Sequence, residues 1–307
     1  MTVNGAAPAT TSTGGTGARA GSPVQIRDVD IRFGEFVAVR GANLDIAAGE
    51  LVCLLGPSGC GKSTLLNAVA GFVRPAAGEV TCAGSPVTGP DVSRGVVFQS
   101  AEALFPWLTV RQNVAFGPQM RGVPKAQREA VVDRYLAMVG LAHSAERFPE
   151  QLSGGMRQRA QLARVLANDP SVVLMDEPFG ALDAQTRLVM QVELDRIWRE
   201  TGATIVFVTH DIGEAILLGD RIVTMTAGPS AAIKNVYRCD LPRPRDLTDP
   251  TCAALFRELR EDIGAEVART LRAQGLDEGH DGRPGGAHPD AAAQDGRPGR
   301  DDRTEGR

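Results

Sequence analysis

The sequence predicts an α/β fold, because apolar strands alternate with helix-forming segments along the chain. Three runs that are apolar except for Thr204, at 51–55, 172–175 and 204–208, are typical of strands covered on both faces. Helix-forming segments follow the first two runs, at about 65–70 and 184–201. Hydrophobic residues make up 43% of the 307 residues, which is enough for a sizeable core in one or two domains.

Composition and charge argue against several classes of protein. The net charge is −4 with no basic excess, which argues against nucleic acid as a partner. The five cysteines are irregularly spaced, which favours reduced thiols over a disulfide framework or a zinc site. No apolar run approaches the roughly 20 residues of a membrane span, and the N-terminus lacks a signal-peptide pattern. We therefore expect a cytosolic chain that reaches a membrane only through a partner.

The most specific stretch connects the first apolar run to its helix. It matches the phosphate-binding P-loop pattern G-x-x-x-x-G-K-[ST] and consists of Gly56, Pro57, Ser58, Gly59, Cys60, Gly61, Lys62, Ser63 and Thr64. Glycines allow backbone N–H groups to converge on an anion, and the helix that begins here adds its positive dipole end. We expect Lys62 to reach the β- and γ-phosphates, Ser63 to bind Mg²⁺ and Thr64 to donate to phosphate. Cys60 is either a thiol that a bound nucleotide shields or simply a small residue that fits the loop.

The N-terminal region predicts a tail followed by two strands. Residues 1–22 contain almost no large apolar side chain and are predicted to be disordered. Alternating apolar and polar residues at 24–31 and 42–46 predict half-buried strands. Phe33 and Phe36 flank a turn between them. One interpretation is that an aromatic ring here stacks on a nucleotide base, and the other is that both pack in the core of a hairpin.

Two further strands are predicted after the P-loop helix, at 78–84 and 95–99. The second ends in Gln99, at a junction between strand and loop. Its carboxamide either orders a water molecule and Mg²⁺ near a γ-phosphate or is an ordinary loop residue. The residues alone leave both interpretations open.

A mainly helical region is predicted over about 101–165. The apolar segment 104–108 contains one of only two tryptophans, and it is interpreted either as a partner-docking groove or as a buried anchor. Helices are predicted at 109–116 and about 125–140, the second from apolar residues at helical spacing. Ser153 is a suitable N-cap for the next helix, which creates a second anion-binding helix N-terminus. Because one chain has a single P-loop, this second N-terminus suggests that it binds phosphate at the site of another subunit.

Polar side chains follow the other two apolar runs directly. Asp176 and Glu177 come after 172–175, where ligands bind at the carboxyl ends of parallel strands. We predict that Asp176 holds Mg²⁺ and that Glu177 polarises an attacking water as general base. His210 follows 204–208, and we predict that it reaches the γ-phosphate, although a lone histidine at a strand end is more often structural.

The C-terminal third predicts the end of the sheet and an added helix. Strands are predicted at 221–225 and 232–237, and the Pro-rich segment 241–245 predicts a stiff connector. One amphipathic helix is predicted over about 249–272, within a C-terminal unit 241–273, from apolar residues at helical spacing: Phe256, Leu259, Ile263, Val267 and Leu271. Apolar residues then vanish, so 274–307 is predicted to be a disordered tail.

Together these motifs resemble the nucleotide-binding subunits of ABC transporters over about residues 24–270. They occur in the family's order: the P-loop, Gln99 (Q-loop), 152–155 (signature), 172–177 (Walker B), 181–183 (D-loop) and His210 (H-loop). The signature is the specific element, because generic P-loop ATPases lack it. The resemblance implies a P-loop NTPase (RecA-like) core over 23–240, with an antiparallel β subdomain and an α-helical signature subdomain at about 101–165.

The resemblance also implies roles for individual residues. It implies a head-to-tail dimer that holds two ATP molecules, in which Ser153 and Gly155 bind the γ-phosphate on the opposite P-loop and Asp183 contacts that loop. Phe33 takes the family's adenine-stacking position. The implied catalytic residues are Glu177, His210, Lys62 and Gln99, and the implied Mg²⁺ ligands are Ser63, Gln99 and Asp176.

Within the family, the segments 105–110, 176–183 and 240–244 are typical of the nitrate/sulfonate/taurine importers. This implies permease subunits that dock near Gln99–Val110, a second copy of the chain, and indirect dependence on a periplasmic or extracellular solute-binding protein. The expected function is ATP hydrolysis coupled to uptake of a small anion or sulfonate, by a peripheral protein on the cytoplasmic face of the membrane. The alternatives are an exporter or lipid-trafficking ATPase with the same catalytic machinery, and a soluble ABC ATPase outside transport.

Overall fold

The computed structural model describes residues 21–98, 103–180 and 182–273. Most of the two predicted tails, Gln99 and Ala181 lie outside these ranges. Gly21 and Ser22, which were predicted to belong to the N-terminal tail, donate backbone hydrogen bonds to Gly202 (3.0 Å) and Ser171 (3.3 Å). The folded unit therefore includes two residues more than expected.

Ten strands and seven α-helices are found within the described ranges. In chain order they are β1 (Val24–Phe33), β2 (Phe36–Ile46), β3 (Leu51–Leu55), α1 (Lys62–Ala70), β4 (Ala77–Cys82), β5 (Ser85–Pro86), β6 (Arg94–Val97), α2 (Val110–Met120), α3 (Lys125–Met138), α4 (Gly154–Leu166), β7 (Val172–Asp176), α5 (Ala184–Thr201), β8 (Thr204–Thr209), α6 (Ile212–Leu218), β9 (Arg221–Met225), β10 (Ile233–Arg238) and α7 (Pro250–Ala273). Short 3₁₀ turns occur at Ala142–Ser144 and Pro149–Gln151.

The strands form two sheets. The first is antiparallel, with four strands in the order β2-β1-β4-β5. The second has six strands in the order β10-β9-β3-β8-β7-β6, and it is parallel except for β10, which pairs antiparallel with β9. Both expectations are confirmed: an α/β core with a parallel sheet, and a separate antiparallel unit.

The central sheet is covered on both faces, which explains its uninterrupted apolar strands. Successive residues of β3 alternate between two hydrophobic cores: Val52 and Leu54 pack towards α1 and the antiparallel sheet, and Leu51 and Leu55 pack towards the helical side. Register then aligns the strand ends, because Leu55 pairs with Thr209 and Asp176 pairs with Val208. The segments after β3, β7 and β8 therefore meet at one edge of the sheet.

Helix α5 has the predicted bounds, whereas α2, predicted at 109–116, begins at Val110 and continues to Met120. Asp183 caps α5 by accepting a hydrogen bond from the Thr186 backbone, and Thr109 and Gln112 form a complete capping box at α2. The sequence prediction missed the short helix α6. The signal was present, since Asp211 and Glu214 have the spacing of an N-terminal capping pattern, and Asp211 does cap α6.

The apolar stripe predicted for the C-terminal helix is only partly correct. Leu259 is fully buried, and Phe256 and Ile263 pack against the core. Val267 was expected on the same face but is exposed, and its neighbour Glu266 is fully buried instead. Near its C-terminal end, the helix therefore directs the carboxylate of Glu266, rather than an apolar side chain, towards the rest of the protein.

Candidate active site

The P-loop lies between β3 and α1 and depends on glycine at two positions. Gly59 and Gly61 have φ angles of 78° and 85°, in the left-handed region that other residues rarely adopt. A Cβ atom built on Gly61 would lie 2.9 Å from Cγ2 of Val39, so the close approach of the antiparallel sheet also requires glycine. Gly61 is the N-cap of α1, which places the start of that helix at the loop.

The side chain of Lys62 is buried inside this loop. Its Nζ donates to the carbonyl oxygens of Gly56 (2.8 Å) and Pro57 (2.9 Å) and lies 3.8 Å from Sγ of Cys60. Cys60 is itself buried, and burial raises the pKa of its thiol. A buried, protonated thiol is unreactive, so the geometry favours the interpretation of Cys60 as a small residue that fits.

Ser63 and Asp176 bring the P-loop helix and strand β7 into contact. The hydroxyl of Ser63 donates to Oδ1 of Asp176 at 2.7 Å. Burial raises the pKa of Asp176, the neighbouring Glu177 raises it further, and the Ser63 hydrogen bond opposes both effects. A hydroxyl beside a partly buried carboxylate is the oxygen donor set that Mg²⁺ uses together with phosphates. These two residues therefore fit the predicted ion.

Glu177 follows Asp176 in a strained backbone conformation, with a φ of 44°. Its N–H donates to the carbonyl of Val208 at 3.0 Å, which fixes the backbone to strand β8. Its Oε2 lies 3.1 Å from Nδ1 of His210, which follows that strand. Strain at a charged residue is typical of functional sites. The structure thus brings Glu177 and His210 together, as the sequence predicted.

A cleft of about 390 Å³ lies over the P-loop and is lined by Ser58–Thr64, Ala38, Glu177 and the two hairpin phenylalanines. Phe33 is 53% exposed and Phe36 is 54% exposed. The interpretation of these rings as hairpin core is therefore wrong. Both face the cleft because β1 and β2 turn tightly between them, at Gly34 and Glu35.

If an aromatic ring from this hairpin stacks on the base, Phe33→Ala will weaken nucleotide binding. Loss of one base-stacking side chain costs about 1–3 kcal/mol, so we expect the Kd for ATP to rise at least about fivefold, with little change in thermal stability because the ring is exposed. Titration with a fluorescent ATP analogue measures the change. Phe36→Ala is the matched comparison, and an unchanged Kd in both variants would exclude stacking by this hairpin.

The signature and D-loop residues do not line this cleft among the described residues. Ser153 caps α4 and accepts from the backbone of Met156 at 3.3 Å, as predicted. A Cβ built on Gly155 would lie 2.4 Å from the methyl group of Thr186, so this glycine allows α4 to approach α5. Asp183 accepts from the hydroxyl and the backbone N–H of Thr186, which lowers the pKa of its carboxyl group. Gln99 lies outside the described residues.

A buried ionic group behind His210 was not found from the sequence. Glu214 is buried and accepts a hydrogen bond from Thr209 at 2.6 Å. The guanidinium of Arg187, on α5, lies 3.7 Å from Glu214 and 3.8 Å from Asp211, and it donates to the carbonyl of Leu182 at 3.0 Å. The group therefore connects the segment before α5 to the segment that carries His210.

The pKa of Glu214 is raised, chiefly because the carboxylate is buried. A carboxyl group whose folded-state pKa is raised costs stability at neutral pH, and this cost disappears as the pH falls through that pKa. We therefore expect Glu214→Gln to have a higher Tm than the wild type at pH 8, and we expect this difference in Tm to vanish at low pH. We also expect kcat to fall severalfold, because the segment that carries His210 loses the contacts of Glu214. Thermal scans against pH check this, with the exposed Glu150→Gln as control; a lower Tm at pH 8 would contradict it.

In the segment 104–108 the tryptophan is exposed rather than a buried anchor, and docking of a partner there stays a prediction. Leu104 is buried, whereas Trp107 is 69% exposed. The buried amide of Asn113 holds the loop by accepting from the N–H of Phe105 and donating to the carbonyls of Phe105, Leu108 and Thr109. The segment is thus anchored at one end and presents an exposed tryptophan at the other.

Among the described residues, no helix is both long and apolar enough to span a membrane.

Comparison with known proteins gives consistent matches. The family described as ABC transporter matches residues 39–180. The chain is 49% identical over 248 residues to a taurine import ATP-binding protein, TauB, of Roseobacter denitrificans, covering 78% of this chain and 92% of that protein. It is 48% identical over 231 residues to the bicarbonate transport ATP-binding protein CmpC of Synechococcus elongatus, covering 75% of this chain and 35% of that longer protein.

A solved structure has the same fold. The ATP-binding cassette MJ0796, described as a dimer in a post-hydrolysis state bound to ADP and Pi, superposes with a TM-score of 0.61 at 32% identity, covering 71% of this chain and 100% of that chain. The P-loop, the Ser63–Asp176 contact and Glu177 lie within the residues 39–180 that the family model matches. The chain belongs to the ABC transporter family, among its ATP-hydrolysing subunits.

Proposed function

We propose that this chain is the ATPase subunit of an ABC importer and couples ATP hydrolysis to uptake of a small anion or sulfonate-type solute. One observation carries the enzymatic part: the Ser63–Asp176 contact at 2.7 Å and the Glu177–His210 contact at 3.1 Å lie at one sheet edge with the P-loop. Support for the solute class comes from the relatives, which are a taurine import protein and a bicarbonate transport protein.

The proposed reaction is in-line attack of water on the γ-phosphate of ATP. Glu177 accepts the proton of the attacking water, and His210, held against it, stabilises the transferring phosphoryl group. The ammonium of Lys62 leaves its two loop carbonyls for the β- and γ-phosphates, and the N–H groups of the P-loop hold the remaining charge. Ser63, Asp176 and Gln99 would hold Mg²⁺, which would supply further charge neutralisation.

A second copy of the chain completes the proposed site. Ser153 and Gly155 begin α4, and Asp183 begins α5, yet none of the three lines the described cleft around the P-loop. The dimeric form of MJ0796 supports a pairing of two copies. In the proposed dimer, the signature residues bind the γ-phosphate on the partner's P-loop and Asp183 contacts that loop. Hydrolysis then requires the dimer to close.

The proposed site for the permease is the loop after Gln99, through Val110. Its support is the exposed ring of Trp107 on a loop that Asn113 holds rigidly. We expect Trp107→Ala to reduce transport by the assembled transporter at least about tenfold, as for a central aromatic anchor, while ATPase activity of the isolated subunit is unchanged. Val192→Ala, which removes an equally exposed apolar side chain from α5, is the control. Equal transport by wild type and Trp107→Ala would exclude docking at Trp107.

The test of the proposed function is reconstitution with the permease and the solute-binding protein encoded beside this chain. Vesicles with ATP on the cytoplasmic side should accumulate radiolabelled taurine, another sulfonate, nitrate or bicarbonate, and accumulation should stop without ATP. Export of the solute, or ATP hydrolysis that no permease alters, would replace the proposal with one of the two alternative functions.

A further inference from the structure

One segment of the chain, 225–231, lies against all three glycines of the P-loop. A Cβ built on Gly56 would lie 3.3 Å from the carbonyl oxygen of Met225, and one built on Gly61 would lie 3.9 Å from Cβ of Ala231. A Cβ built on Gly228 would lie 3.1 Å from the carbonyl oxygen of Gly59. We call residues 226–231 the backing loop, since its residues Gly228 and Ala231 lie beside Gly59 and Gly61 of the P-loop.

The backing loop also supports the other wall of the cleft. Its Ser230 N–H donates to the carbonyl of Val37 at 2.8 Å, and its Ala231 carbonyl accepts from the N–H of Arg40 at 2.9 Å. Both partners belong to β2, the strand that begins with the cleft residue Phe36. The relative position of the aromatic hairpin and the P-loop therefore depends on this loop.

The C-terminal helix α7 holds the backing loop through a buried carboxylate. Oε2 of Glu266 accepts from the N–H of Ala227 at 2.9 Å, and its Oε1 lies 2.8 Å from Nζ of Lys234. Asp262, one helical turn earlier, lies 2.7 Å from the same ammonium and accepts from the hydroxyl of Thr224 at 2.7 Å. A fully buried carboxylate is costly unless it is paired and hydrogen-bonded, and Glu266 is both.

We propose that Glu266 is a positioning residue for nucleotide binding: by holding the backing loop, α7 sets the geometry of the P-loop and the aromatic hairpin. This inference rests on the proposed nucleotide site in the cleft. Glu266 acts on affinity rather than on the chemical step, because Glu177 and His210 are held by β8 and by each other. The role accounts for the burial of Glu266 next to Val267, the apolar residue that was expected to face the protein.

Four variants of the full chain test the proposal, with a mant-labelled ATP as the probe. Glu266→Ala removes the acceptor for Ala227, whereas Glu266→Gln retains an oxygen acceptor and loses only the charge. Gly228→Ala disturbs the contact between the backing loop and Gly59 and leaves α7 unchanged; Gly228 does not have a positive φ, so alanine can adopt its conformation. Glu261→Ala removes an exposed carboxylate from the same helix and is the control.

We expect the Kd for mant-ATP to rise about tenfold in Glu266→Ala and in Gly228→Ala, to rise less in Glu266→Gln, and to be unchanged in Glu261→Ala. A tenfold rise corresponds to about 1.4 kcal/mol, the size of one hydrogen bond. The kcat at saturating ATP should stay within about twofold of the wild type, since the proposed role is in binding alone. The double variant Glu266→Ala/Gly228→Ala should bind about as weakly as either single variant, because both disturb one loop.

Circular dichroism confirms that each variant is folded. If Glu266→Ala does not fold, Gly228→Ala and Glu266→Gln decide the question. Three results would each overturn the inference. They are wild-type affinity in folded Gly228→Ala and Glu266→Ala, a fall in kcat without a change in Kd, and fully additive losses of affinity in the double variant. Wild-type protein that bound no mant-ATP would overturn the proposed nucleotide site, and the inference with it.

Discussion

Glu177→Gln is expected to reduce the rate of ATP hydrolysis at least about 100-fold and to leave ATP binding intact. A loss of about 100-fold lies in the range that a positioned general base contributes to the rate. The amide has nearly the same shape as the carboxylate but cannot accept a proton from water. Phosphate release under saturating ATP measures the loss. Size-exclusion chromatography with ATP should show the variant as a dimer, because bound ATP is no longer hydrolysed to reopen it.

The matched control for this variant is Glu129→Gln, which neutralises an exposed carboxylate on α3 that lies 3.8 Å from Nζ of Lys125. It should hydrolyse ATP at the wild-type rate, because a surface pair contributes little. If Glu177→Gln also hydrolysed ATP normally, Glu177 would be excluded as the base. The 3.1 Å contact between Glu177 and His210 would then have a role other than holding a general base.

Lys62→Ala is expected to abolish both ATP binding and hydrolysis, with a loss of at least about 100-fold in kcat/KM. Its ammonium lies at the centre of the P-loop, where a charge aimed at the developing negative charge of phosphate is worth several kcal/mol. Fluorescence titration with mant-ATP and a steady-state ATPase assay measure the two effects separately.

The chain offers a clean control, because it has only three lysines. Lys125 is exposed and makes only a weak pair with Glu129, so Lys125→Ala should behave like the wild type. Removal of Lys62 also leaves the carbonyls of Gly56 and Pro57 without their donor. Binding of mant-ATP by Lys62→Ala with the wild-type Kd would show that phosphate is held elsewhere.

The candidate site was largely predictable because its residues follow elements with strong local signals. The apolar run of β3, the glycines that follow it and the start of α1 are all local features of the chain. The same holds for Asp176 and Glu177 after β7 and for His210 after β8. Because parallel strands direct their carboxyl ends to one edge, these local signals predict a shared site without knowledge of the strand order.

The features that sequence reasoning missed depend on contacts between distant segments. The residues alone left open whether Phe33 stacks on a base or packs in a hairpin core, because the exposure of an aromatic ring cannot be read from a hairpin pattern. The pairing of Arg187 with Glu214 joins two helices whose packing the sequence did not indicate. Glu266 looked like a surface residue of an amphipathic helix, and its burial follows only from the rotation of α7 about its axis.

The sequence by itself determined the fold class, the P-loop and the polar residues at the strand ends, since these follow from periodicity, turn chemistry and spacing within short segments. The tertiary structure decided which groups meet across segments: Ser63 with Asp176, Glu177 with His210, and Glu266 with the backing loop. The physical reason is that backbone preference is local, whereas the burial and pairing of a charge depend on neighbours that can lie more than a hundred residues away along the chain.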